Sequence, residues 1–196
     1  MPNSTQRRLP KGAKREASVR IVAGRFRGRR LPVLEVDGLR PTPDRVRETL
    51  FNWLASDMVG AAVLDLFAGT GALGLEATSR GASQVTVIER DKHAADHLRH
   101  LCRDWGIEAQ CSVHQAEAIT WLRSCQAKFD IVFVDPPYHA GLYQAAFDAL
   151  GGRLKADARV YVESDSRSPQ PLVPDTWQEL RGKVAGDVRY HVFAVP

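Results

Sequence analysis

The sequence predicts an α/β fold, a mostly parallel sheet covered by helices on both faces and preceded by a basic β-hairpin. Three observations carry this. From Gly60 to about residue 163, strand-like runs alternate with helix-like ones, the pattern of βαβ crossovers. The first of these strands runs into the glycine-rich segment Asp65-Leu66-Phe67-Ala68-Gly69-Thr70-Gly71. The last two strand-like runs are too close for a crossover and must pair as an antiparallel hairpin.

The elements follow in chain order. Residues 1–18 are rich in Pro, Ser, Lys and Arg without periodicity and read as a basic, disordered tail. Val19, Ile21 and Ala23, then Leu31 and Val33, flank Gly24 and Gly28, so residues 19–40 read as two short strands joined by an arginine-rich turn. Residues 41–196 make up the main domain. It opens with a helix that has Thr42 as N-cap, Pro43 at the first helical position and Asp44 beside the positive helix end. Val46, Leu50, Trp53 and Leu54 form its inward face, which leaves Arg45 and Arg47 pointing elsewhere. Strands are expected at 62–67, 84–89, 109–114, 129–135 and 158–163, with helices near 72–80, 91–105, 117–125 and 141–153. Runs 180–184 and 188–195 close the chain around Gly186 and Asp187.

Length and composition narrow the class. A chain of 196 residues suits one domain with a small appendage, and 44% hydrophobic with 26% charged residues excludes collagen, coiled coil or wholesale disorder. The longest apolar run, Met58 to Leu64, is far below the ~18 residues of a membrane span. The basic start leads into arginines instead of an apolar stretch, so a cytosolic protein is expected. Cys102, Cys111 and Cys125 fit neither a disulfide framework nor a zinc spacing and read as free thiols.

Charge is unevenly spread. The first 30 residues hold ten Lys or Arg against Glu16 alone, a local charge of +9 within a net charge of +4. A basic arm on a mildly acidic body is the footprint of a nucleic-acid binder, because phosphate contacts supply most sequence-independent affinity. Arg25, Arg27, Arg29 and Arg30 crowd the predicted turn. With Arg20, Arg40 and Arg45 they are the candidate RNA contacts.

Gly69, Gly71 and Gly74 satisfy G-x-G-x-x-G, and Glu89 lies at the end of the next strand, so spacing alone allows NAD. Asp65 argues against it, because a carboxylate just upstream of the glycines repels a pyrophosphate. S-adenosylmethionine (SAM) has no phosphate and carries an ammonium, which suits Asp65, while Glu89 suits ribose hydroxyls. A side chain at Gly71 is expected to fall where the cofactor belongs.

The apolar strand 131–134 ends in Asp135-Pro136-Pro137-Tyr138, at the strand edge where open α/β sheets bind ligands. Two prolines remove two donors, so the Asp135 carboxylate and the Pro136 carbonyl form a rigid, acceptor-only corner. Such a corner suits an exocyclic amine, whose hydrogens it grips while the nitrogen lone pair faces an electrophile. Tyr138 is placed to stack on a flat base.

Other features read as structure. His93, His97 and His100 share a helix face, but no H-E-x-x-H motif is present, and Leu98, Leu101, Cys102 and Trp105 take the opposite face, so the histidines line solvent and no metal is expected. Trp121, Trp177 and Phe193 read as core or rim aromatics. No Walker lysine or G-x-S-x-G elbow occurs.

Beyond these motifs, Arg20-Ile21-Val22-Ala23-Gly24 with Arg27-Gly28-Arg29, and Arg40-Pro41-Thr42 with Arg45-Val46-Arg47-Glu48 and Leu50-Phe51-Asn52, carry a specific likeness. With Asp65 to Gly71 and Asp135 to Tyr138, the chain from about Arg20 to Val195 resembles the class I SAM-dependent methyltransferases. Within them it resembles the RsmD family, bacterial 16S ribosomal RNA guanine-N2 methyltransferases. The resemblance implies a Rossmann-like, seven-stranded, mostly parallel sheet with the last strand antiparallel. It also implies SAM as cofactor and a guanine amine of small-subunit ribosomal RNA, in an assembled or assembling particle, as substrate. Carried over by position, Asp65, Phe67, Ala68, Gly69, Thr70 and Gly71 hold methionine and ribose, Glu89 with neighbouring Arg90 holds the ribose, and Glu117 before Ala118 meets the adenine amine. Asp135, Pro136, Pro137 and Tyr138 receive the target base. An adenine-N6 or protein-glutamine methyltransferase of this fold is the nearest alternative, although Asn often opens its motif where this chain has Asp135. A non-catalytic RNA-binding assembly factor leaves both motifs without a role.

Overall fold

The structure, a computed structural model, describes residues 18–33, 43–137 and 141–196. The basic tail, Arg40-Pro41-Thr42 and Tyr138 lie outside the described residues.

The chain opens with strands β1 (Ser18–Arg20) and β2 (Arg30–Pro32), paired antiparallel with Val19 opposite Leu31. Helices α1 (Asp44–Trp53) and α2 (Ala55–Met58) follow. The main sheet then begins with β3 (Ala62–Asp65) and continues through α3 (Ala72–Ser79), β4 (Gln84–Glu89), α4 (Lys92–Trp105), β5 (Cys111–Gln115) and α5 (Ala118–Ser124). It ends with β6 (Phe129–Val134), α6 (Tyr143–Leu150), β7 (Leu154–Asp165), β8 (Gln178–Ala185) and β9 (Val188–Ala194). The seven-stranded sheet has the order β5-β4-β3-β6-β7-β9-β8. Strand β9 inserts between β7 and β8, antiparallel to both, while β5, β4, β3, β6 and β7 are parallel.

Both faces are packed. In β6, Ile131 and Phe133 point to one face and Val132 and Val134 to the other, and all four are fully buried, as a central parallel strand requires. The first face is covered by α1 to α4 and by the hairpin, whose Val19, Ile21, Phe26 and Leu31 belong to the same apolar cluster as β3 and β6. The second face is covered by α5 and α6 through Ile119, Leu122, Phe147 and Leu150.

Three expectations change. Pro43 occupies the cap position of α1, with φ −56 and ψ 145 and no side-chain cap, so the helix starts at Asp44. The short α2 and the full length of β7 have no counterpart in the periodicity. Arg47 does not point away from the core: its side chain is wholly buried between α1 and α3, 3.6 Å from the Glu76 carboxylate, and it donates to Asp44 and to the Arg20 carbonyl. Only Arg45 is exposed. Of the α4 histidines, His93 and His100 are exposed as expected, whereas His97 is half-buried with its Nε2 shielded from solvent, and Leu98, Leu101, Cys102 and Trp105 are buried opposite them. Among the described residues the three cysteines are free, and no helix is long and apolar enough to cross a membrane.

Candidate active site

The glycine loop joins the carboxyl end of β3 to the start of α3. Two of its glycines lie in the left-handed region, Gly69 at φ 53 and Gly71 at φ 73, which lets the chain turn within a few residues. The loop is fastened to both neighbouring strands, because Leu66 N–H donates to Phe133 and Ala68 N–H to Ile88.

The amides of its three glycines are occupied. Asp65, 2% exposed, accepts from Gly74 N–H at 2.8 Å. Glu89 accepts from Gly69 N–H and from Asp91 N–H, both at 2.7 Å. Gly71 N–H donates to the Ala68 carbonyl. A phosphate site needs these N–H groups free to face the anion. With two carboxylates on them, the loop suits cations and hydroxyls instead, which decides between the two cofactors that glycine spacing allowed. Each bound oxygen keeps a further lone pair for a ligand.

Burial, opposed by the Gly74 N–H and reinforced by the Glu89 charge, pushes the Asp65 carboxyl up to about 7. A cation beside it reverses that cost. Glu117 caps α5, accepting from Ile119 and Thr120 N–H. Partial burial raises its carboxyl, but hydrogen bonds from Thr120 and Ile119 and the Arg123 charge outweigh this and hold it below the usual range. Ala118 is buried beside it, Phe67 and Thr70 are half-buried, and Ala68 is buried. Arg90 is exposed, and its carbonyl accepts from Gln115.

Asp135 follows the last residue of β6, half-buried, with Pro136 buried and Pro137 exposed. Asp65 pairs with Phe133, so Asp135 stands two residues, about 7 Å, further along the neighbouring strand. Both lie at the carboxyl edge of the sheet on adjacent strands. Sequence reading missed two neighbours of Asp135. Tyr143 of α6 donates to the Glu163 carbonyl at 2.8 Å, and burial together with the Asp135, Glu163 and Asp165 charges raises its phenol. Glu163, 2% exposed, accepts from the Tyr161 hydroxyl at 2.6 Å. A charged residue at the end of an otherwise apolar strand run is the signal that could have marked Glu163.

Of the candidate RNA contacts, Arg20, Arg25, Arg27, Arg29, Arg30 and Arg45 are exposed. The turn carrying Arg25, Arg27 and Arg29 packs on Ser79 at the far end of α3, so the structure does not bring it to the carboxyl edge. Among the described residues, no group of three or more His, Cys, Asp and Glu could hold a metal ion.

A parallel sheet that ends in one inserted antiparallel strand, with an acid-lined glycine loop at its carboxyl edge, defines the class I methyltransferase fold. Comparison with known proteins narrows this. The family model described as "Conserved hypothetical protein 95" matches residues 19–194. Ribosomal RNA small subunit methyltransferase D of Escherichia coli K12 is 46% identical over 178 residues, 89% of each chain. The chain belongs to this RsmD family. The solved structure of the putative methyltransferase yhhF from Escherichia coli superposes with a TM-score of 0.82 at 40% identity, over 91% of this chain and 98% of that one. The fold is shared more distantly with the Thermus thermophilus 16S rRNA N2 G1207 methyltransferase RsmC, solved in complex with AdoMet and guanosine. That likeness has a TM-score of 0.67 at 23% identity, over 93% of this chain and 50% of that one.

Proposed function

We propose that this chain transfers the methyl group of SAM to the exocyclic N2 amine of a guanine in small-subunit ribosomal RNA, in an assembled or assembling subunit in the cytosol. The observation that carries the reading is the pairing of a carboxylate-occupied glycine loop with the corner of Asp135 and two donor-less prolines one strand away. When bound, SAM supplies a methyl group made electrophilic by its sulfonium. Asp65 meets the ammonium of its aminoacyl end, Glu89 the ribose hydroxyls, and Glu117 the adenine amine.

The Asp135 carboxylate and the Pro136 carbonyl grip the hydrogens of the guanine amine and turn its lone pair toward the methyl. Tyr138 stacks on the base. Charge disperses during transfer, so orientation and proximity supply most of the acceleration, with no covalent enzyme intermediate. The proton left on the methylated nitrogen is strongly acidic and passes to Asp135 or to water. The exposed arginines of the amino-terminal hairpin, with Arg45 and Arg40, contact RNA.

The test is methylation of small subunits from cells lacking this gene, using labelled SAM and the purified protein, followed by mass analysis of the nucleosides. Label in N2-methylguanosine is expected. Label in N6-methyladenosine or in protein, or no transfer, overturns the reading.

A further inference from the structure

We propose that the Arg25–Arg29 turn is a second RNA-backbone site, at the amino edge of the sheet, where guanidinium groups stacked on Phe26 and Trp105 grip phosphates outside the target nucleotide. The inference rests on the reading that ribosomal RNA is the substrate.

The position follows from topology. Helix α3 starts at the glycine loop and returns across the sheet, so its last residue, Ser79, lies at the opposite edge, about 12 Å away for eight helical residues. The turn is latched to that residue. Arg25 N–H donates to the Ser79 carbonyl at 2.8 Å, Phe26 N–H donates to Ser79 Oγ at 2.9 Å, and Ser79 Oγ donates to the Ala23 carbonyl at 2.6 Å. Gly24, at φ 80, makes this approach possible, since a Cβ there falls 1.9 Å from the Ser79 oxygen. One step nearer the loop, the buried Glu76 carboxylate accepts from Val22 and Ala23 N–H. The arginines are therefore carried on a rigid base.

The side chains form a stack. The Phe26 and Trp105 rings are 5.0 Å apart, the Arg25 guanidinium lies 4.9 Å from the Phe26 centroid, and Arg29 lies 5.0 Å from Phe26 and 5.1 Å from Trp105. Stacking orders a guanidinium while leaving its N–H edge outward, and that edge matches phosphate. Arg47, Arg80, Arg99 and Arg159 each pair with a carboxylate, whereas among the described residues Arg25, Arg27 and Arg29 pair with none. Asp104, beside Trp105, lies 3.3 Å from His100 Nε2. Exposed Arg103 adds a further positive charge at the same helix end.

Electrostatics also assigns the task to this edge. The methyl-transfer edge carries the carboxylates of Glu89, Glu117 and Asp135, which disfavour RNA phosphates beside them. This turn supplies backbone affinity with cations that pair with no carboxylate among the described residues.

The experiment compares the parent with Arg25→Ala/Arg29→Ala, and with the charge-keeping Arg25→Lys/Arg29→Lys, on two substrates: intact small subunits and a short RNA hairpin trimmed to the target loop. On subunits, the alanine pair is expected to raise KM about tenfold with kcat within twofold and SAM affinity unchanged, and the lysine pair to fall between. On the trimmed hairpin, the three proteins are expected to match. Subunit binding across a salt series should show a log–log slope reduced by about 1.4 to 1.8 in the alanine pair, from 0.7 to 0.9 per lost contact. An unchanged slope overturns the proposal, as does an equal loss on the trimmed hairpin, which places the contacts beside the target base. Binding needs no turnover, so failed methyl transfer by the parent overturns the methyltransferase reading and leaves the turn tested on its own.

Discussion

Arg47 and Glu76 face each other at 3.6 Å with both side chains at zero exposure, and between them they join the amino-terminal hairpin, α1 and the cofactor helix α3. Glu76 also receives Arg80 Nε at 2.7 Å, while Arg47 reaches the Arg20 carbonyl. Removing one partner of such a buried pair strands the other charge, at about 3–5 kcal/mol. Glu76→Ala should therefore lower the unfolding free energy in urea by about that amount, and Glu76→Gln by less. A loss under ~1 kcal/mol for the alanine variant, the scale of a surface ion pair, shows that the network is not a structural anchor.

Asp65 makes stability depend on pH. Its carboxyl, ordinarily near 3.8, is pushed up to about 7 by burial and by the Glu89 charge, against the Gly74 hydrogen bond. Between these values the folded protein keeps a proton that the unfolded chain has released, so stability falls as pH rises from about 4 to 7, by on the order of 4 kcal/mol. Asp65→Asn keeps an acceptor for Gly74 N–H and removes that fall. Unfolding free energies at pH 5 and pH 8 should favour the asparagine variant more strongly at the higher pH, while its SAM affinity drops about tenfold. Parallel pH curves for the two proteins refute the assignment.

Gly71 acts through packing and backbone, contrary to the expectation that a side chain there meets the cofactor. A Cβ on it falls 2.3 Å from Leu98 Cδ2, inside the protein, and its φ of 73 disfavours any L side chain. Gly71→Ala should cost about 1–3 kcal/mol of stability through overpacking, on top of the backbone strain. Leu98→Ala should cost less in that background than in the parent. Additive losses in the four-protein thermal unfolding cycle argue that the two positions do not touch.

Asp135→Ala should abolish methyl transfer with little change in SAM affinity, because the carboxylate is assigned to the substrate amine. Calorimetry of SAM binding and turnover on small subunits separate the two effects. Turnover within about tenfold of the parent, a barrier change below ~1.4 kcal/mol, removes Asp135 from the reaction.

Much of the architecture was legible in the chain itself because it is written in local periodicity. Alternating strand and helix runs placed β3 to β7, the glycines marked the turn into α3, and Gly186 with Asp187 marked the last hairpin. The same reading singled out Asp65, Glu89 and Asp135, since each sits at the end of a strand, whereas Glu117 came from the family likeness. Arg47 shows where local reading stops. Helical spacing left it off the face of Val46, Leu50, Trp53 and Leu54, and only the approach of Glu76, 29 positions away, reverses that. The insertion of β9 between β7 and β8, the opposite end of α3 as the seat of the arginine turn, and the Leu98 wall behind Gly71 were likewise decided by tertiary structure. Periodicity reports which face of an element is apolar. Which distant partner fills that face, and which polar atoms meet there, depends on long-range packing that no local window contains.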